Sequence, residues 1–127
     1  MVRFLLVVVG GGLGSGARYL LSGWTLGVLG PAFPWGTLAV NALGSFLLGG
    51  LMHVGLTTEA VAPDLRVALS TGVLGGFTTY STFNYETTRY LQEGAWGMGA
   101  LNVLGTVAAC LAAGLLGHFA ARLLVGH

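Results

Sequence analysis

Four apolar runs, each long enough to cross a membrane as a helix, take up nearly the whole chain. A helix needs roughly 20 residues to span the hydrocarbon core of a bilayer. The first run contains one charged residue, Arg18, and the other three contain none. The runs occupy residues 4–29, 35–56, 67–85 and 94–121. This pattern predicts an all-α membrane protein with four transmembrane helices.

The composition excludes a water-soluble domain of this size. Hydrophobic residues make up 54% of the 127 residues and charged residues only 7%, and the chain has no Lys. Such a domain needs far more charge to cover its surface. The net charge of +1 leaves no basic stripe, so we do not expect a nucleic-acid partner. The single Cys110 excludes an intramolecular disulfide and a multi-cysteine metal site.

The gaps between the runs are short and rich in helix-breaking residues. Gly30, Pro31 and Pro34 lie in the first gap, and the other two gaps cover residues 57–64 and 91–94. No stretch is left for a further domain, so we expect one four-span domain over residues 1–127. The alternative for the first run is a secretory signal peptide, because Arg3 and the apolar segment after it fit that pattern loosely.

The orientation of the chain in the membrane rests on its five Arg residues. Four spans place Arg3, Arg66 and Arg122 on one side and Arg18 and Arg89 on the other. A split of three to two is a small bias under the positive-inside rule. Two outcomes are therefore open: the chain inserts both ways and forms an antiparallel homodimer, or the small bias is sufficient to fix one orientation.

Two of the runs carry a polar stripe on one helical face. Residues four apart share a face of a helix, and this spacing relates Thr37, Asn41 and Ser45 in the second run and Asn102, Thr106 and Cys110 in the fourth. Hydrogen bonds between helices explain most of these residues well. For Asn41 we favour a functional role, because a side-chain amide in the middle of a span is costly to bury.

The third run contains the sequence GGFTTYSTFNYE, residues 75–86, in which hydroxyl side chains follow two glycines. Glycine and β-branched residues weaken a helix, and Thr or Ser can cap a helix that restarts. We therefore predict a broken helix, although a continuous helix with hydroxyl side chains is the alternative. Non-helical backbone inside a membrane must be buried in protein or line a water-filled cavity, and in transporters it marks ion sites.

The polar groups of the spans favour binding of an anion. Amide and hydroxyl groups donate hydrogen bonds, and the first, second and fourth runs contain no acidic residue. Tyr80 and Phe83 are three residues apart, so on a helix they share a face. Their ring edges carry the positive end of the aromatic quadrupole, against which a small anion can rest.

Three motifs in order, GGGLGSGARYL, GTLAVNALGSFLLG and GGFTTYSTF, resemble those of the Fluc (CrcB) family of fluoride channels over essentially the whole chain. The resemblance implies four transmembrane helices, the third broken in the middle, in an antiparallel dual-topology dimer with two pores. It also implies passive passage of fluoride down its electrochemical gradient across the inner (plasma) membrane of a prokaryote. No enzymatic activity is expected.

The resemblance also implies roles for individual residues. Asn41 would be the pore amide, and Tyr80 and Phe83 would occupy two positions at which the family usually has phenylalanine. The remaining residues of the implied fluoride pathway are Ser81, Thr82, Thr37, Thr106 and Asn102. A structural sodium ion at the dimer centre would be held by main-chain carbonyls of Gly75 and Thr78. Tyr80 departs from the family pattern because its phenol adds a hydroxyl group.

Several charged or titratable residues have more than one interpretation. Arg18 either extends to the membrane interface or attracts anions into a vestibule. Glu86 either joins a network at the pore mouth or is solvated. We expect His53, His118 and His127 to be ordinary interfacial residues.

Two other functional classes remain as alternatives to a channel. A small proton-coupled multidrug-type exporter would need a carboxylate in the first span, which the sequence lacks. A non-transporting membrane assembly protein could carry similar polar stripes as interhelical hydrogen bonds.

Overall fold

The structure is a computed structural model that describes residues 1–126, in which the regular elements are all helical. The elements are α1 Val2–Leu29, α2 Trp35–Thr57, α3 Pro63–Val67, a π-helix Ala68–Leu74, α4 Gly75–Phe77, α5 Ser81–Gln92 and α6 Trp96–Val125. The prediction of an all-α fold is confirmed. His127 lies outside the described residues.

Three of the four predicted spans are single long helices. α1, α2 and α6 contain 28, 23 and 30 residues, and each is long and apolar enough to cross a bilayer. The predicted breakers separate them: α1 ends at Gly30, whose φ of 79° is readily adopted only by glycine. Gly94, which also has a positive φ of 76°, lies in the loop just before α6.

The third predicted span differs from the other three because it contains two helical pieces. Residues 63–77 form one continuous helical stretch made of α3, the π-helix and α4, and α5 begins only at Ser81. The link between them, residues 78–80, is not helical. This helical segment is longer at both of its ends than the predicted 67–85. Pro63 occupies its first helical turn, where the missing N–H of proline costs nothing. Within residues 1–126, three helices rather than four meet the length required of a continuous span.

Glycines allow the helices to approach backbone to backbone. A Cβ atom at Gly117 of α6 would collide with the Phe46 carbonyl of α2, and one at Gly49 would collide with the Gly114 carbonyl. The α1 residue Gly14 packs equally closely on the carbonyl of Val73 in the π-helix. Such contacts are typical of membrane helices, which associate through close packing of small residues.

Not all of the glycines in α1 are used for packing. In α1, Gly10 and Gly14 contact the π-helix, whereas Cβ atoms at Gly12 and Gly16 would meet no atom within 4 Å. Most large apolar side chains face outward; Leu123, for example, is 86% exposed. An apolar outer surface is what a lipid environment requires.

Candidate functional site

The Asn41 side chain holds the non-helical link between α4 and α5. Its Nδ2 atom donates a hydrogen bond to the Thr79 carbonyl at 2.9 Å, and its Oδ1 atom accepts one from the Thr79 N–H at 2.8 Å. A primary amide has two N–H donors, so one of them is not used by Thr79. The sequence predicted a special role for Asn41 but did not predict this contact with residue 79.

Two main-chain carbonyls at the helix break are left without their usual helical partners, one because of this pairing and one because of the Thr79 hydroxyl. In a continuous helix the N–H of residue i donates to the carbonyl of residue i−4. The Thr79 N–H, the expected partner of the Gly75 carbonyl, instead donates to Asn41. The Thr82 N–H, the expected partner of the Thr78 carbonyl, instead donates to the Thr79 hydroxyl at 3.2 Å. Gly75 and Thr78 are the two residues whose carbonyls the family resemblance implies for a sodium site.

Arg18 binds the third carbonyl of the break. Its Nε donates to the Gly76 carbonyl at 3.1 Å, and the Ser15 hydroxyl donates to the same oxygen at 3.4 Å. Arg18 is half-buried, and its Nε lies inside the bundle at the break. It fixes the end of α4 and at the same time lines a cavity.

A smaller cavity of about 370 Å³ lies beside the break. Of the residues predicted for the fluoride pathway, Asn41, Tyr80, Phe83 and Thr106 line it. Gly75, Thr78, Ser45 and Cys110 line it as well. The rings of Tyr80 and Phe83 meet edge to face with their centroids 5.9 Å apart. Tyr80 therefore shares a surface with Phe83 although it lies just before α5 begins.

A larger cavity of about 760 Å³ lies next to the first turn of α5. It contains two further predicted pathway residues, Thr37 and Thr82, together with Arg18 and the half-buried Glu86. The Oε1 atom of Glu86 is buried without a hydrogen-bond partner among residues 1–126. The interpretation that Glu86 is simply solvated is therefore wrong.

Two residues that line the larger cavity were missed by the sequence reasoning. Arg89 and Glu93 form an ion pair of 3.4 Å at its rim. Their spacing of four residues on a helix was the available signal, because such pairs lie on one face. Both side chains are well exposed, so the pair contributes little to stability.

Two predicted pathway residues line neither cavity. Asn102 is only 1% exposed; it donates to the Thr87 hydroxyl at 2.9 Å and accepts from Thr106 at 3.3 Å. Asn102 thus has the interhelical role that was the alternative for the polar stripes. Ser81 is exposed at the start of α5. Neither residue lies at the smaller cavity that Asn41 and Phe83 line.

The start of α5 presents unpaired backbone donors near both cavities. The N–H groups of Ser81 and Phe83 have no acceptor in the part of the chain that the structure describes, and the Thr79 carbonyl is taken by Asn41. Free N–H groups and the helix dipole make such an end electropositive. Thr82 lines the larger cavity and Phe83 the smaller one, so this first turn lies between the two cavities.

Two of the three histidines, all expected to be ordinary interfacial residues, pack against each other. The rings of His53 and His118 meet edge to face with centroids 4.6 Å apart, and His53 is 9% exposed. The prediction for His127 lies outside the described residues.

Comparison with known proteins identifies the family of this chain. The family described as CrcB-like protein, Camphor Resistance (CrcB), matches residues 5–118. The chain is 58% identical to the Fluoride-specific ion channel FluC of Anaeromyxobacter dehalogenans over 98% of this chain and 96% of the relative. It is 50% identical to the protein of the same name from Sorangium cellulosum, over 98% of both chains. Because both kinds of match cover nearly the whole chain, the protein is a multi-pass membrane protein that belongs to the CrcB-like family.

Proposed function

We propose that this protein is a fluoride-selective ion channel that passes F⁻ passively down its electrochemical gradient and so lowers fluoride in the cytoplasm. The observation that carries the proposal is the Asn41–Thr79 contact at the helix break, which lines the smaller of two cavities that both present hydrogen-bond donors. Two relatives are named as fluoride-specific ion channels, which supports fluoride as the transported ion. We assign no enzymatic activity to the chain.

The ion pathway runs from the larger cavity past the first turn of α5 into the smaller one. Thr37 and Asn41 lie one helical turn apart on the same face of α2, and the first lines the larger cavity and the second the smaller one. Arg18 lines the larger cavity and attracts anions to its entrance. Thr106 lies on the α6 side of the smaller cavity.

Selectivity follows from the chemistry of the narrow section. Fluoride is small and strongly hydrated, so several donors must replace its water at once. The unused N–H of Asn41, the Thr82 hydroxyl and the edges of Tyr80 and Phe83 supply such groups. We expect this section to be too narrow for larger halides. The multidrug-exporter alternative is not favoured, because α1 contains no carboxylate.

We propose that residues 63–92 cross the membrane as a third, interrupted segment and that two copies assemble antiparallel in the inner membrane. The small Arg bias between the two sides supports insertion in both orientations. A sodium ion at the dimer centre would be held by the released carbonyls of Gly75 and Thr78, which line the smaller cavity. Carbonyl oxygens suit a hard cation, and the ion would supply positive charge that holds the two breaks together.

The test of the proposed function is fluoride efflux from liposomes that contain the purified protein. A fluoride electrode records the loss of F⁻, valinomycin clamps the voltage, and chloride serves as the comparison ion. We expect rapid loss of fluoride without loss of chloride. No fluoride loss from a folded dimer would contradict the proposal.

Phe83→Ile is expected to slow fluoride flux without affecting assembly. The change keeps an apolar side chain but removes the ring edge that meets Tyr80 at the smaller cavity. The measurement is the efflux rate together with the elution volume on size exclusion. Phe4→Ile is the matched control, because Phe4 is 64% exposed on the outer face of α1. A wild-type rate for Phe83→Ile would remove the role assigned to its ring.

Removal of sodium is expected to lower both the flux and the dimer fraction. Without a cation, the released carbonyls of Gly75 and Thr78 would face each other in an apolar environment, which is costly. The protein is exchanged exhaustively into N-methylglucamine buffer, and efflux and dimer fraction are measured before and after sodium is restored. An unchanged dimer with unchanged flux after exchange would contradict the sodium site but leave the fluoride pathway intact.

A further inference from the structure

Most hydroxyl protons at the smaller cavity are already used within the chain. Six side chains that line this cavity carry a hydroxyl group: Ser45, Ser70, Thr78, Thr79, Tyr80 and Thr106. Four of them donate to an acceptor 2.6–3.3 Å away, namely Ser70, Thr78, Thr79 and Thr106. The hydroxyl groups of Ser45 and Tyr80 donate to no acceptor among residues 1–126. These two are therefore the hydroxyl donors that the cavity can offer to an ion.

The Tyr80 hydroxyl differs from that of Ser45 in what it can reach. Serine inside a helix can rotate its hydroxyl to donate to the carbonyl four residues earlier, so α2 itself offers Ser45 an acceptor. The hydroxyl of tyrosine lies at the far end of a rigid ring, where it cannot fold back onto its own main chain. Tyr90 illustrates this, because its hydroxyl donates to the Ala32 carbonyl of a different segment at 3.1 Å. An acceptor for Tyr80 must likewise come from outside its own helix.

Tyr80 lies at a depth where an unpartnered hydroxyl is costly. It is near the middle of residues 63–92, the segment proposed above to cross the membrane, and it is 77% exposed in the single chain. A polar group that faces hydrocarbon without a partner is unfavourable. The Phe83 ring meets the Tyr80 ring edge to face, with the centroids 5.9 Å apart, and holds it beside the cavity. These facts favour a partner that enters the cavity, water or an ion, over lipid.

Fluoride is a stronger partner for this donor than water. Hydrogen bonds to an ionised acceptor are shorter and roughly twice as strong as those between neutral groups. Among residues 1–126, those that line the smaller cavity carry no charge. No carboxylate there competes for the phenol proton, and no arginine there competes for the anion. The Asn41 amide, whose second N–H is not used by Thr79, lines the same cavity.

We propose that the Tyr80 hydroxyl donates a hydrogen bond to fluoride in the smaller cavity and so sets the affinity of the pathway for this ion. The inference rests on the proposed function and goes beyond it, because the role given to Tyr80 above uses only its ring edge. A hydroxyl donor holds the ion more firmly than a ring edge does, and a channel conducts only when its sites release the ion again. Chloride gains less from this donor, because its larger radius places the charge farther from the proton.

The first test is fluoride efflux from liposomes, measured over a range of fluoride concentrations for Tyr80→Phe. The substitution removes only the hydroxyl oxygen and keeps the ring that contacts Phe83. We expect the half-saturating fluoride concentration to rise about tenfold, and the maximal rate to rise because the ion leaves a weaker site faster. A tenfold change corresponds to about 1.4 kcal/mol, close to the lower end of what a hydrogen bond to a charged group contributes.

Tyr85→Phe is the matched control, because Tyr85 is also exposed on α5 but lines neither cavity. This variant should keep the half-saturating concentration of the unmodified protein. An equal half-saturating concentration in Tyr80→Phe and the unmodified protein would overturn the proposal, since the ring alone would then account for the role of Tyr80.

A second test observes the hydroxyl directly and does not require conduction. The four tyrosines are labelled with carbon-13 at Cζ, the ring carbon bonded to the hydroxyl, and the Tyr80 resonance is the one missing from Tyr80→Phe. We expect fluoride, but not chloride, to shift this resonance in the unmodified protein. A Tyr80 resonance that fluoride leaves unmoved would overturn the proposal. A protein without fluoride flux would contradict the proposed function, whereas a fluoride-dependent shift would still support binding at Tyr80.

Discussion

Asn41→Asp is expected to abolish fluoride flux. The carboxylate has no N–H, so the hydrogen bond to the Thr79 carbonyl is lost and an anionic oxygen is placed beside that carbonyl. The new charge also lies on the proposed path of an anion. Two like charges at 4 Å repel by about 4 kcal/mol at an effective dielectric constant of about 20, which corresponds to about a thousandfold slower passage.

The measurement for Asn41→Asp is fluoride efflux from liposomes at equal amounts of reconstituted protein. Gln92→Glu is the matched control, because it makes the same change from amide to carboxylate at the exposed end of α5. That variant should retain wild-type flux. Size exclusion of both variants shows whether the chain still assembles. Undiminished flux in a correctly assembled Asn41→Asp protein would defeat the assignment of Asn41 to the pathway.

The long helices could be predicted from the sequence because their signals are local. The apolar run at residues 35–56 became α2 Trp35–Thr57, with its start immediately after the predicted breaker Pro34. The positions of glycines and prolines in the sequence likewise predicted where the loops lie. Helix boundaries set by backbone chemistry of this kind need no knowledge of the neighbouring helices.

The details of the site could not be predicted in the same way because they depend on distant partners. The Asn41–Thr79 contact joins residues 38 positions apart, and its direction depends on how α2 packs on the break. The stripe of Asn102 and Thr106 has the same spacing as that of Thr37 and Asn41, yet Asn102 is fully enclosed between α5 and α6. Periodicity shows that residues share a face but not what covers that face.

Gly117→Ala is expected to prevent or severely weaken folding, although it adds a single methyl group. The new Cβ would collide with the carbonyl oxygen of Phe46, a backbone atom that cannot rotate away. α2 and α6 would have to separate, and α2 carries Asn41 only five residues from that contact. Forced overpacking typically costs about 1–3 kcal/mol, and we expect the upper end or more here because backbone must move.

Gly114→Ala, one turn earlier on α6, is the matched control, because its Cβ would meet its nearest atom, the Ser45 carbonyl oxygen, at 3.7 Å, an ordinary contact. Alanine favours a helix over glycine by up to about 1 kcal/mol, so this variant should be as stable as wild type or more stable. Thermal unfolding of the detergent-solubilised protein compares the two. The same chemical change then has opposite signs at two neighbouring glycines. Equal melting temperatures for Gly117→Ala and Gly114→Ala would mean that the close α2–α6 contact does not determine the stability of the bundle.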